Sequence, residues 1–298
     1  MKKYFFLLLL IPNAVHGQKD TINCYIQIQD IWNLDLNKST VNVDFYLITQ
    51  SKVSLEKKLN LLNGSILKID TIVNSIQESF LTLRIESEIR TCFNFEKYPL
   101  DEQHITIKFE PYQYFSEIIL VSRQEQNIFL DKVNLNGWKT NGIIFENQVS
   151  EYSIQEQGGE KTYLYSTAIF KIPISRKNKF MFLIKSFLPS IISILIIYIG
   201  FLLPPNQIEP RLNLSVGSLF LMVSNFIVTQ QMLPEISEIT IIEKINILSL
   251  VIIFLTILFF SLGYRYRKKL SNHTWYKINL IFVSTSISFY LLFFMIIC

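Results

Sequence analysis

A span of 22 residues, 212–233, carries polar side chains at a spacing suited to water or ions inside a membrane. As a helix at ~1.5 Å per residue it is ~33 Å long, enough to cross a bilayer. Asn213, Ser215, Gly217, Ser218, Ser224, Asn225, Thr229, Gln230 and Gln231 fall inside it. That is too polar for a helix that meets only lipid. Steps of three and four trace one face through Asn213, Gly217, Phe220, Ser224, Ile227 and Gln231. The face is polar at both ends, with a large apolar residue near its middle. Two settings tolerate it: a water-lined path or a polar seam between helices.

Other chemistries lack their residues. There is no nucleophile elbow, no HExxH, no pair of catalytic carboxylates and no phosphate loop, so neither an enzyme nor a cofactor is expected. Cys24, Cys92 and Cys298 are scattered and show no metal spacing. A Cys24–Cys92 bridge stays open beside the reading of three isolated small apolar residues. Net charge is +4, and the basic residues form no run in the first half of the chain, which argues against a nucleic-acid partner.

The elements that must position these residues divide the chain in two. Half of all residues (50%) are hydrophobic, 14% are aromatic, and the mean hydropathy is +0.30. This richness is uneven. Residues 1–17 read as a signal peptide: Lys2 and Lys3, an apolar run over 4–11, then the small-residue site Val15-His16-Gly17. Residues 18–177 read as an exported domain of short strands. CYIQIQDIW and TVNVDFYLI alternate about a turn at Asn37-Lys38-Ser39. LNLLNGSILKI turns at Asn63-Gly64, and SFLTLRIESEI, HITIKFE, SEIILVS, GWKTNGIIFE and TYLYSTAIFKIPI follow. Short strands with no helices between them predict a β-sandwich or barrel. Residues 178–298 hold four apolar spans, at about 181–204, 212–234, 239–264 and 275–298, with Pro189 inside the first. The link with Arg265, Arg267, Lys268 and Lys269 falls inside, and the acidic link at 235–237 falls outside, if the first domain is exported.

The segment Phe93-Asn94-Phe95-Glu96-Lys97-Tyr98-Pro99-Leu100-Asp101-Glu102-Gln103 resembles the signature loop of the pentameric ligand-gated ion channels, the Cys-loop receptor family. Tyr98, Pro99, Leu100, Asp101 and Gln103 match its aromatic-Pro-hydrophobic-Asp-x-Gln core. The two flanking cysteines of the animal receptors would fall at Thr91 and Ile105, so the loop disulfide is absent, as in bacterial members. Gly137-Trp138, Ile174-Ser175-Arg176, Pro189 and Leu233-Pro234 are similar to further family landmarks, in order.

The resemblance implies an immunoglobulin-like extracellular sandwich followed by a four-helix transmembrane bundle, assembled with four further copies as a homopentamer. The partners it implies are membrane lipid, permeant inorganic ions, and an unknown small-molecule agonist or protons. It implies a pore lined by Asn213, Gly217, Phe220, Ser224, Ile227 and Gln231, with Phe220 as an apolar gate. Glu209 stands where the family's cation channels carry carboxylates, and Pro210-Arg211 is similar to the entry of anion-selective members. Coupling to the sandwich would run through Asp35, Tyr98, Pro99, Leu100, Asp101, Arg176, Pro234 and Glu235, with Arg176 pairing with Asp101, Asp35 or Glu235. An aromatic agonist site would use Tyr112, Tyr114, Phe115, Tyr152, Tyr163 and Tyr165 beside a hairpin at 155–161. The region between Gln50 and Thr91 is shorter than in bacterial relatives and lacks the Trp-x-Pro wall of that site. The alternative is a membrane-tethered β-sandwich sensor that passes no ions.

Overall fold

The computed structural model describes residues 20–51, 59–75, 80–112, 118–131, 133–156, 159–204, 206–231, 233, 239–266 and 272–297. The expected signal peptide and Gly158 of the hairpin turn expected at Gly158-Gly159 lie outside them.

The alternating runs pair into two sheets. In the first, β1 (Asp20–Asp35), β2 (Thr40–Gln50), β4 (Gly64–Ser75), β5 (Phe80–Arg90) and β7 (Ile118–Val121) lie in the order β4-β5-β2-β1-β7, and β8 (Ile128–Phe129) also pairs with β1. In the second, β3 (Leu59–Leu61), β6 (Gln103–Pro111), β10 (Ile144–Glu156) and β11 (Gly159–Arg176) take the order β10-β11-β6-β3, with β9 (Trp138–Thr140) also on β11. Period-2 patterning turns Val41, Val43, Phe45 and Leu47 of β2 towards Ile105, Ile107 and Phe109 of β6, and all are buried in one core. Phe45 and Phe109 meet edge to face across it, with ring centroids 6.0 Å apart. GWKTNGIIFE, expected as one strand run, is split between β9 and β10.

The Asn63-Gly64 turn joins β3 to β4 and clips the sheets together. Asn63 Nδ2 donates to Arg90 O at 2.8 Å and Thr106 O at 2.6 Å, and its Oδ1 accepts from Lys108 N at 2.9 Å. A side chain at position 64 would bring its Cβ within 2.7 Å of Glu88 O, so the close approach requires glycine.

Four helices follow: α1 (Lys179–Leu202), α2 (Ile208–Gln231), α3 (Ile241–Tyr266) and α4 (Asn272–Ile297). All four are long and apolar enough to cross a membrane. Thr240 opens α3 with a capping box, accepting Glu243 N at 3.3 Å while Glu243 Oε2 accepts Thr240 N at 2.9 Å. At the far end of α3, Gly263 lies against the Trp275 ring of α4.

The two domains meet in a second apolar cluster. Phe95 and Tyr98 from the signature loop pack with Phe187 of α1, Leu233 after α2, and Ile241, Ile242 and Ile245 of α3. Leu36, from the turn between β1 and β2, packs against the same cluster.

Candidate functional site

The α2 helix has two contrasting sides. Asn213, Gly217, Phe220, Ser224, Ile227 and Gln231 are all exposed in the single chain, and Phe220 is 69% exposed. The opposite side buries Arg211, Ser215, Ser218, Met222 and Thr229 against the bundle. The stripe traced by helical periodicity is thus the face that α2 leaves free of the rest of its own chain.

Arg211, expected beside Glu209 just ahead of the helix, does not share that face. It is 2% exposed, donates from Nη2 to Leu203 O, and lies 5.1 Å from the centre of the Phe260 ring. The physical reason is angular: residue 211 sits about 200° from Asn213 on the helix, because each residue turns ~100°. Its guanidinium instead takes up a carbonyl freed at the end of α1. Glu209 is exposed in the first turn of α2, where a carboxylate also suits the helix dipole.

At the joint between the domains, Arg176 reaches Asp101. Their closest approach is 3.6 Å, with the side chains 11% and 1% exposed. Arg176 also lies over Phe182 at 3.8 Å, Trp138 at 4.4 Å and Tyr98 at 5.4 Å. Asp101 Oδ2 accepts from Gln103 Nε2 at 2.6 Å, and Gln103 in turn bonds the backbone of Asn94. Pro99 is buried after a cis bond from Tyr98, and Leu100 N closes a turn onto Lys97 O. Tyr98 O accepts from Ile242 N at 3.3 Å, so the loop touches the first turn of α3 directly. Burial pushes the Tyr98 hydroxyl above its ordinary pKa.

Of the three expected partners of Arg176, the structure pairs it with Asp101. Asp35 accepts the amides of Asn37 and Lys38, both at 3.0 Å, and holds its own turn. Pro234 and Glu235 lie outside the described residues. A second joint contact runs from Lys179 Nζ to Glu102 Oε1 at 2.7 Å. That bond holds the Glu102 carboxyl below its usual pKa.

The neck of the signature loop is closed without sulfur. Thr91 Oγ1 donates to His104 O at 3.0 Å and accepts from Thr106 N at 3.2 Å. Cys24 and Cys92 are both free, the first buried and the second exposed. The open choice between a bridge and isolated thiols therefore resolves to the latter.

The tyrosines expected at an agonist site gather around one concavity of about 470 Å³. Tyr112, Tyr152, Tyr163 and Tyr165 line it with Glu110 and Glu151. Tyr152 and Tyr165 pack edge to face at 5.5 Å. Tyr114 and Phe115 lie outside the described residues. Sequence reasoning missed Glu110, which is 7% exposed and accepts from Thr167 Oγ1 at 2.8 Å and Tyr152 OH at 3.2 Å. Its signal was available: alternation along β6 puts Glu110 on the outward face with His104, Thr106 and Lys108, where the tyrosine strands cover it. Burial, then the Glu110 charge, push the Tyr152 hydroxyl up.

No protein-family model matches the chain. One curated relative is the pH-sensitive chloride channel 2 of Anopheles gambiae, 22% identical over 191 residues. The match covers 62% of this chain, and the chain spans 30% of that relative's length.

Proposed function

We propose that the chain is one subunit of a homopentameric channel in a bacterial cell membrane, with its sandwich in the periplasm, opened by protons or a small extracellular molecule. The observation that carries this reading is the free stripe on α2. A helix that only anchored a sensor would have no reason to present Asn213, Ser224 and Gln231 away from its own bundle in line with Phe220. Five such stripes facing one another form a wetted path with one apolar constriction, which stops ions by dewetting. The signature loop supplies the linkage. A stimulus that moves the sandwich is felt at Tyr98, Asp101 and Arg176, of which Tyr98 bonds the first turn of α3 and Arg176 lies over Phe182 of α1.

Glu209 favours cations, because a ring of carboxylates at the inner mouth concentrates them. The relative's printed name favours the opposite reading, chloride. The tyrosine concavity with Glu110 and Glu151 suits an organic cation, through ring faces and carboxylates together.

The test is current through liposome-reconstituted protein, stepping the outer pH from neutral to acid and then adding primary amines. Stimulus-dependent current that changes in Phe220→Ala supports the channel and its gate. A reversal potential that follows the cation gradient, and shifts in Glu209→Gln, supports the cation reading; reversal at the chloride potential supports the other. Absence of current from confirmed oligomers, with Phe220→Ala equally silent, would leave the tethered sensor.

A further inference from the structure

The side of α2 turned to its own bundle is unusual in what it lacks. Of its buried residues Arg211, Ser215, Ser218, Met222 and Thr229, only Met222 is apolar. Two of the hydroxyls do not hold the helix to its neighbours: Ser215 Oγ bonds Arg211 O and Thr229 Oγ1 bonds Asn225 O, both within α2. In hydrocarbon, burial adds little drive for one helix to stay on another, so the remaining cross-helix bonds and close packing set where α2 sits.

Ser193 Oγ of α1 donates to Ser218 O of α2 at 2.6 Å and Arg211 bonds Leu203 O, and three further cross-helix bonds converge on one knot. Asn225 Nδ2 of α2 donates to Ser190 Oγ of α1 at 3.3 Å and to Asn246 Oδ1 of α3 at 3.2 Å. Ser190 Oγ donates to the same Asn246 oxygen at 2.8 Å. Ser190 and Asn246 are fully buried, and Asn246 Nδ2 has no hydrogen-bond partner among the described residues. The amide of Asn225 therefore joins three helices at one depth, and a donor on α3 is left unused beside it. Ser190 directly follows Pro189, whose missing N–H loosens the α1 backbone at that level.

We propose that Asn225 is the positioning residue of α2: through the Ser190–Asn246 pair it fixes the angle at which the free stripe is presented, and so sets the balance between resting and conducting arrangements. This rests on the channel reading for its consequence but not for its geometry. Asn225 lies five residues beyond Phe220, about 140° around the helix at ~100° per residue, and so on the side away from the stripe. Release of the knot turns the helix without touching a pore-facing side chain.

The test places Ser224→Cys on the stripe in a Cys92→Ser, Cys298→Ser background and measures its modification by a charged thiosulfonate in liposomes. Asn225→Leu and Asn246→Leu are then compared singly and together. The expected result is a change of about fivefold or more in the modification rate in each single variant, with no further change in the double, because both remove one shared interaction. If either variant does not fold, Ser190→Ala removes the bond into Asn246 with little change in volume, and the same shift is expected. Unchanged rates in folded variants, or effects that multiply in the double, would overturn the proposal. Current is recorded in parallel. A silent parent protein would remove the channel reading, while the modification rates would still decide the knot.

Discussion

Arg176 lies between one carboxylate and three aromatic rings, so its removal has two separable costs. Arg176→Ala leaves the nearly inaccessible Asp101 charge without its cation, a loss of ~3–5 kcal/mol when a buried pair is broken from one side. Arg176→Lys restores charge but not the planar stacking, and should recover only part of it. Thermal unfolding of both variants, set beside their stimulus–current curves, reads stability and coupling separately. Unchanged activation in well-folded Arg176→Ala would remove the coupling role. Thr91→Val leaves His104 O and Thr106 N without the hydroxyl, and ~1–3 kcal/mol of local stability should go with it. Hydrogen exchange at the Thr106 amide checks this, with Thr91→Ser near wild type. Asp101 was legible from the signature loop, and Arg176 from Ile174-Ser175-Arg176 just before the first helix. Which of three acids would pair with Arg176 was not, because that depends on how the sandwich base folds over the first helix turns. The inward turn of Arg211 onto Leu203 O was not legible either, because it depends on where the first helix ends.

At the scale of elements, the strands were largely visible because alternation and burial agree along β2, β5 and β6. The α2 face was visible because its polar positions keep a helical period. Packing of α4 was not, since its apolar residues surround the helix and name no side. The structure supplies the missing register at Gly263, where an added Cβ would come within 1.9 Å of Trp275 Cη2. Trp275 is itself stacked on Phe259 at 5.5 Å, which limits its retreat. Gly263→Ala should therefore push α4 off α3 and cost ~1–3 kcal/mol by overpacking. A lower melting temperature, restored by Trp275→Leu in the same chain, is the expected outcome. Equal melting of Gly263→Ala and the parent would show that α4 is free to shift.

For the whole molecule, the question is what survives acid at the joint. Glu102 has its pKa lowered by the hydrogen bond from Lys179 and then by that residue's charge. A carboxyl depressed in the folded state adds stability above its unfolded value, and that contribution is lost as pH falls through the folded one. The pair is exposed, so its share is small. The difference in melting temperature between the parent and Glu102→Gln should be constant from neutral pH down to about the ordinary 4.5 and vanish below it. Any response to mild acid should persist in Glu102→Gln. Its loss there would make this pair the sensor.

The Thr91 clasp has a consequence for how the protein is made. A loop tied by a hydroxyl closes as its strands zip together, with no oxidant and no thiol–disulfide exchange. Cys24 cannot intrude, because burial pushes its thiol up to about 12 and keeps it protonated. The exposed Cys92 thiol is no part of the clasp, so Cys92→Ser should fold alike under reducing and oxidising conditions, with the same melting temperature in both.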